Sequence, residues 1–132
     1  MRLSDAKRLL RSRRNNAGAF YMAGYAIECA IKACIAHNMG QYPFPPLLKE
    51  SDLRQSYYTH NLVALLRTAN LEVRLAQDRA GNPLLDTYWS VVTQWSEVVR
   101  YEVNISRQQA VDIITAIEDP ADGVLIWLKK HW

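Results

Sequence analysis

The hydrophobic residues of this chain recur mainly at intervals of three and four positions, and stretches that alternate apolar and polar residues are nearly absent. Spacing of this kind puts apolar side chains on one face of a helix, so the pattern predicts an all-α protein. The linkers between helical segments are mostly short, which favours antiparallel neighbours. We therefore predict an up-and-down bundle of four to five helices in a single domain over residues 1–132.

The first two helical segments differ in how far apolar residues extend around the helix. Ser4 and Asp5 are typical of an N-cap and a first turn, and they open a short basic helix. After a break around Gly18, residues 19–38 form the longest predicted helix, which Gly40 ends. Because this second helix is apolar on nearly all sides, we expect it at the centre of the fold.

The rest of the chain carries helix starts separated by proline and glycine signals. In chain order, the predicted elements are a surface loop over 41–58, a helix capped by Thr59 and running to about Asn70, a weaker helix over 71–77, a helix from Pro83 through Trp95 to Arg100, one that opens at Ser106, and a short one after Pro120.

The composition, with 49% hydrophobic and 22% charged residues, is that of an ordinary soluble domain and excludes disordered and fibrous proteins. The net charge of +3 is unevenly distributed, since the first 14 positions hold six of the 16 Lys and Arg residues and one of the 13 acids. Arg11 and Arg14 lie on the polar face of the first helix and are candidate contacts for phosphate. A solvated helix face is the alternative interpretation of this cluster.

Cys29 and Cys34 are the two cysteines of the chain. Five positions apart on a helix, they point about 140° away from each other, so they can neither form a disulfide nor bind a metal together. Since the sequence also lacks paired histidines at metal-binding spacing, we expect no metal site and no cofactor. Two buried thiols suit a reducing compartment, and we expect a cytoplasmic protein.

The apolar stretch over 17–36 follows a basic start and has the outline of a signal peptide or membrane anchor. Glu28 and Lys32 lie inside it, however, and each charge costs about 2.5 to 3.5 kcal/mol at the centre of a bilayer. We therefore expect a soluble protein that keeps its N-terminus and has no membrane partner.

Glu28 and Lys32 are also the first candidate site. They stand one helical turn apart with the acid before the base, the favourable order for an ion pair. A charged pair in an apolar helix often marks a site where charge is used, and the alternative is a pair that compensates itself at a partly open edge. We interpret His60, by contrast, as a helix-start residue whose ring is satisfied by the backbone, and the tryptophans as core or rim residues.

The second candidate site lies at the end of the predicted helix that contains Trp95. Arg100 offers a planar fork for phosphate, and Tyr101 offers a ring on which a base can stack. We expect both to lie beside Glu28 and Lys32 in one polar recess that binds a nucleotide or RNA. The alternative is an Arg100 held in an ion pair and a Tyr101 that fills a groove.

Four segments together resemble HEPN domains, the nucleotide-binding domains of higher eukaryotes and prokaryotes. They are the run AGYAIECAIK from Ala23 to Lys32, the helix start THNL from Thr59 to Leu62, the segment from Trp95 to Tyr101, and the tail from Gly123 to Trp127. The resemblance covers nearly the whole chain. It implies a helical bundle that forms a homodimer and is often linked with a minimal nucleotidyltransferase in toxin and antitoxin or defence pairs.

The resemblance further implies a metal-independent ribonuclease site, which in many members consists of an arginine followed four to six residues later by a histidine. Arg100 matches the arginine, but the positions for the histidine hold Ile105, Ser106 and Arg107. The chain thus departs from the motif at the residue that proton transfer requires. His60 or His131 would have to replace it.

We therefore predict a binding or regulatory module for a nucleotide, RNA or a nucleotidyltransferase partner, with weak or no catalysis. A metal-independent endoribonuclease toxin with an atypical base is the alternative function. A structural dimerisation subunit is the third.

Overall fold

The computed structural model describes residues 2–11, 15–41, 59–95 and 104–132, with the backbone alone at 38–41. Every regular element in these ranges is an α-helix, which confirms the all-α class. The described ranges hold seven helices rather than four to five: α1 (Arg2–Arg11), α2 (Asn16–Gln41), α3 (Leu62–Thr68), α4 (Glu72–Gly81), α5 (Pro83–Val92), α6 (Arg107–Glu118) and α7 (Val124–Lys129).

The two N-terminal helices begin earlier than predicted. Ser4 lies inside the first turn of α1 rather than capping it. The start of α2 is fixed by Asn15, whose side-chain oxygen accepts a hydrogen bond from the Gly18 backbone N–H at 3.0 Å. Gly18 therefore belongs to the first turn of α2 and not to a break, and the helix continues one residue past Gly40.

Helix α2 lies at the centre of the bundle, as its apolar sequence predicts. It packs against α1, α3, α6 and α7, and Ala19, Ala23, Ile27 and Ile31 on it are fully buried. Within the described ranges, Asn16–His37 is the one segment long and apolar enough to cross a membrane, but 56% of its most apolar window is buried inside the fold. A helix covered in this way is typical of the core of a soluble protein.

The additional helices arise because the chain turns twice between α3 and α5. Asn70 follows α3 in the left-handed backbone region with a φ of 62°, which asparagine tolerates better than most residues. Asn82 is extended and caps the first turn of α5, where Pro83 takes the first position. The helix start at Pro83 is therefore confirmed, whereas the weaker helix predicted before it is longer than expected and reaches Gly81.

The helix predicted to continue through Trp95 ends instead at Val92. The Trp95 indole is 4% exposed, packs on Gly24 of α2, and donates a hydrogen bond from Nε1 to the Tyr21 carbonyl oxygen at 3.0 Å. Burial of this large ring against α2 outweighs continuation of the helical hydrogen bonds, so the chain leaves the α5 axis here. Residues 96–103 lie outside the described part of the chain.

Helix α6 confirms the predicted start at Ser106. The Ser106 hydroxyl oxygen accepts a hydrogen bond from the Gln109 backbone N–H at 3.1 Å, and the Gln109 side chain accepts one from the Ser106 backbone N–H at 2.8 Å. This reciprocal capping box fixes the helix register. The side chains predicted to face inward are all buried, namely Ala110, Ile113, Ile114 and Ile117.

Candidate functional site

Glu28 is the one charged side chain that is buried in the described ranges, with 1% of its surface exposed. Both carboxylate oxygens have partners: Oε1 lies 2.6 Å from His60 Nδ1, and Oε2 lies 3.7 Å from Lys32 Nζ. The predicted pairing of Glu28 with Lys32 therefore forms. The two contacts compensate a carboxylate that water cannot reach, because an unpaired charge at this depth costs several kcal/mol.

The start of α3 holds His60 beside Glu28. The N-cap of α3 is Asn61 rather than the predicted Thr59, because the Asn61 side-chain oxygen accepts a hydrogen bond from the Ala64 backbone N–H at 3.0 Å. Thr59 contributes two positions earlier, where its hydroxyl oxygen accepts a hydrogen bond from the Asn61 backbone N–H at 3.2 Å. These bonds fix the backbone on both sides of His60, and α3 packs directly on α2.

The prediction for His60 missed one partner. Its Nδ1 contacts a carboxylate 32 positions earlier in the chain, which the expectation of a ring satisfied by the backbone did not include. An ionised carboxylate can only accept hydrogen bonds, so His60 Nδ1–H is the donor in a contact with an ionised Glu28. One sequence signal could have found this residue: a buried Glu28 has two oxygens to satisfy, and Lys32 serves only one of them.

A cleft of about 610 Å³ opens over His60. The His60 side chain keeps 43% of its surface exposed, so the imidazole touches both Glu28 and the cleft. The cleft wall combines hydroxyl, amide, imidazole, aliphatic and indole groups from Thr59, His60, Asn61, Leu62, Val63, Thr93 and Trp95. It therefore presents an oriented imidazole, backed by a buried carboxylate, next to an aromatic ring.

A row of aromatic rings leads away from the cleft along α2. The Trp95 ring lies 6.0 Å from the ring of Tyr21, which in turn stacks on Tyr25 at 6.0 Å with 8° between the ring planes. The Arg2 guanidinium lies 4.3 Å from the centre of the Tyr25 ring, a favourable arrangement for a cation and an aromatic face. The row connects the cleft with the basic helix α1.

The basic cluster of α1 is partly engaged in contacts within the fold. Lys7 forms an ion pair with Glu118 of α6. Arg11 is exposed in the last turn of α1, and Arg14 lies outside the described residues. The phosphate patch at Arg11 and Arg14 therefore stays a prediction, as does its alternative, a solvated helix face.

Arg100 and Tyr101, the second pair of predicted binding residues, also lie outside the described residues. Ser106 and Arg107 are two of the three positions where the resemblance would place a histidine, and both belong to the start of α6. Ser106 is its N-cap, and Arg107 donates a hydrogen bond from Nη1 to the Leu10 carbonyl oxygen at 2.9 Å. These two side chains therefore stabilise a helix start and its contact with α1.

The two cysteines differ, although the sequence predicts that both are buried. Cys29 is exposed on the outer side of α2, whereas Cys34 is buried and contacts the Leu128 carbonyl oxygen at 3.7 Å through its Sγ. Burial raises the pKa of the Cys34 thiol, which keeps the thiol protonated and unreactive. The prediction fails for Cys29 because α2 is covered on most sides but not on all.

His131, the other histidine considered as a replacement base, belongs to a different surface. Its ring lies 4.3 Å from that of Trp127, and the Trp127 Nε1 donates a hydrogen bond to Asp78 of α4 at 2.8 Å. Burial lowers the pKa of His131. This histidine therefore takes part in packing between the C-terminal segment and α4.

The described residues thus bring Glu28, Lys32 and His60 into one cluster, of which His60 lines the cleft. Comparisons of the chain with protein-family models, with curated proteins and with solved structures find no match in any of the three.

Proposed function

We propose that this protein is a HEPN-like module that binds RNA or a nucleotide in the cleft over His60. The observation that supports the proposal is the position of the His60 imidazole. It is exposed to a cleft of about 610 Å³, and its Nδ1 contacts the buried carboxylate of Glu28. A cluster of ionisable groups that converges on a cleft is a common feature of binding and catalytic sites.

The wall of the cleft suits the parts of a nucleotide. Hydroxyl and imidazole groups donate hydrogen bonds to phosphate oxygens, as polar side chains do at most nucleic-acid interfaces. The nearly buried indole of Trp95 adds only an apolar edge to the same wall. Sequence-specific proteins recognise RNA mostly in single strands, whose base edges are open, so a single strand or a free nucleotide is the proposed ligand rather than a duplex.

Several further parts of the proposal depend on the sequence and on the resemblance. Arg100 and Tyr101 would extend the site, and Arg11 with Arg14 would add phosphate contacts. The resemblance further leads us to propose a homodimer and a minimal nucleotidyltransferase as partner, and the two unpaired cysteines lead us to propose a cytoplasmic location. Binding is proposed as the main role because positions 105–107 hold no histidine.

Replacing His60 with glutamine is expected to weaken RNA binding about tenfold, the effect of losing one hydrogen bond of about 1.4 kcal/mol to a charged group. The measurement is fluorescence anisotropy with a labelled single-stranded RNA and, separately, a labelled mononucleotide. Affinity for RNA should also fall as salt rises, with a logarithmic slope of about 0.7 for each phosphate contact.

The matched control is His37→Gln. His37 is exposed on α2, nine positions or about 14 Å of helix beyond Glu28, and its replacement should leave both affinities unchanged. Equal effects of the two substitutions would place binding outside the cleft. Absence of binding of either ligand by the unaltered protein would contradict the proposed function.

A further inference from the structure

We propose that Arg2 and Tyr25 form a second subsite for the RNA strand, where the Arg2 guanidinium binds a backbone phosphate outside the cleft. The inference rests on the proposed function, since the same strand must also occupy the cleft. It adds a contact that the sequence pattern does not single out, because that pattern points to Arg11 and Arg14 as the phosphate-binding residues.

The contact between Arg2 and Tyr25 carries the inference. The Arg2 guanidinium lies 4.3 Å from the centre of the Tyr25 ring, and Arg2 is exposed. A guanidinium that lies on an aromatic face is attracted by the ring and keeps its N–H donors at its rim, where a phosphate can reach them. Within the described ranges, no hydrogen bond or ion pair engages the Arg2 side chain.

The aromatic row holds the Tyr25 ring in place beneath the guanidinium. Tyr25 stacks on Tyr21 with 8° between the ring planes, and Tyr21 lies beside Trp95. Trp95 is anchored in turn by its hydrogen bond to the Tyr21 carbonyl oxygen. Because the rings cover one another, the row orients the guanidinium rather than offering a free face to bases. A side chain that is already oriented loses less entropy when it binds a ligand.

The same row sets the distance between the subsite and the cleft. Trp95 belongs to the cleft wall, and successive contacts of 6.0, 6.0 and 4.3 Å lead from it to Arg2. A stacked strand rises about 3.4 Å per nucleotide and an extended strand rises more, so about five nucleotides or fewer cover these three steps. A mononucleotide in the cleft has two aromatic rings between it and Arg2. The subsite therefore contributes to binding of strands and not of mononucleotides.

The charge around the subsite suits a polyanion. Arg8 and Arg11 are exposed on the same helix as Arg2, and like charges on one surface raise the local concentration of anions. An RNA strand reaches this surface from the cleft along the aromatic row. An anionic membrane would contact the basic helix alone, so the connection with the cleft favours RNA.

The test compares two ligands by fluorescence anisotropy, a labelled RNA strand of about ten nucleotides and a labelled mononucleotide. Arg2→Ala is expected to weaken strand binding about tenfold, the effect of losing a hydrogen bond to a charged group. The logarithmic salt slope should fall by about 0.7, the contribution of one phosphate contact in a single strand. Affinity for the mononucleotide should stay unchanged.

Arg74→Ala is the matched control. Arg74 is an exposed arginine of α4 that pairs with Asp78, and its removal changes the net charge by the same amount as Arg2→Ala. We expect this control variant to bind both ligands with the affinity and salt slope of the unaltered protein.

Three further variants separate the oriented fork from its charge. Arg2→Lys keeps the charge but loses the planar fork, so it should restore only part of the lost affinity. Tyr25→Leu should weaken strand binding although Arg2 remains, whereas Tyr25→Phe keeps the ring and should bind normally. Thermal unfolding checks that each variant is folded, and Arg2→Lys decides the question if Tyr25→Leu is not.

The outcomes distinguish this inference from the proposed function. Unchanged strand binding by Arg2→Ala overturns the subsite alone, and equal losses with Arg2→Ala and Arg74→Ala overturn it as a general effect of net charge. If Arg2→Ala releases the protein from vesicles that contain phosphatidylserine but still binds the strand normally, Arg2 serves a membrane and the subsite is overturned. An unaltered protein that binds neither the strand nor the mononucleotide overturns both proposals.

Discussion

Replacing Glu28 with alanine is expected to lower the free energy of unfolding by about 3 kcal/mol. Removing one partner from a buried charged pair costs about 3 to 5 kcal/mol. The lower end of that range applies because the side chains left behind keep a route to solvent, with exposed fractions of 17% for Lys32 and 43% for His60. The measurement is the midpoint and slope of urea unfolding.

Glu118→Ala is the matched control for that substitution. Glu118 also forms an ion pair, with Lys7, but its side chain is 39% exposed, and exposed pairs contribute about 0 to 1 kcal/mol. A double variant, Glu28→Leu with Lys32→Met, should recover much of the lost stability because no charge is left unpaired in the core. Equal effects of Glu28→Ala and Glu118→Ala would show that the buried contacts do not hold α2 and the α3 start together.

Replacing Gly24 with alanine is expected to lower the free energy of unfolding by about 1 to 3 kcal/mol, the cost of adding a methyl group to a filled core. A Cβ atom at this position would overlap the indole ring of Trp95. The ring would have to move and give up its hydrogen bond to the Tyr21 carbonyl oxygen. This loss exceeds the gain of about 1 kcal/mol that alanine brings to a helix interior.

Gly81→Ala tests whether the effect at Gly24 comes from the overlap. Gly81 ends α4 and has no atom within 4 Å of where a Cβ would lie, so alanine there should be neutral or slightly stabilising. Combining Gly24→Ala with Trp95→Ala should reveal strong coupling in a double-mutant cycle. A Gly24→Ala variant as stable as the unaltered protein would contradict the close packing of Trp95 on α2.

The fold was predictable from sequence where local signals and burial agree. The apolar run of α2 predicted its central position, and Ser106 with its inward isoleucines predicted α6, because periodicity and capping are properties of neighbouring residues. Trp95 shows where such reasoning fails. Its spacing continued the helical pattern of α5, but a contact with a glycine far away in sequence decided its conformation.

The candidate site was predictable only in part for the same reason. Glu28 and Lys32 were recognisable because charges stand out in an apolar helix and their spacing is local. His60 looked like one polar residue among others at a helix start, since its partner lies 32 positions away. Pairing across such a distance is set by how α3 packs on α2, which periodicity does not specify.

The proposal that the cleft over His60 is the RNA site is tested most directly by NMR of the histidine rings. With imidazole nitrogens labelled by ¹⁵N, a single-stranded RNA is titrated into the protein and the resonances of the three histidines are followed. We expect the His60 resonances to shift progressively to saturation while those of His37 stay in place. Saturated RNA binding without any change at His60 would contradict the account.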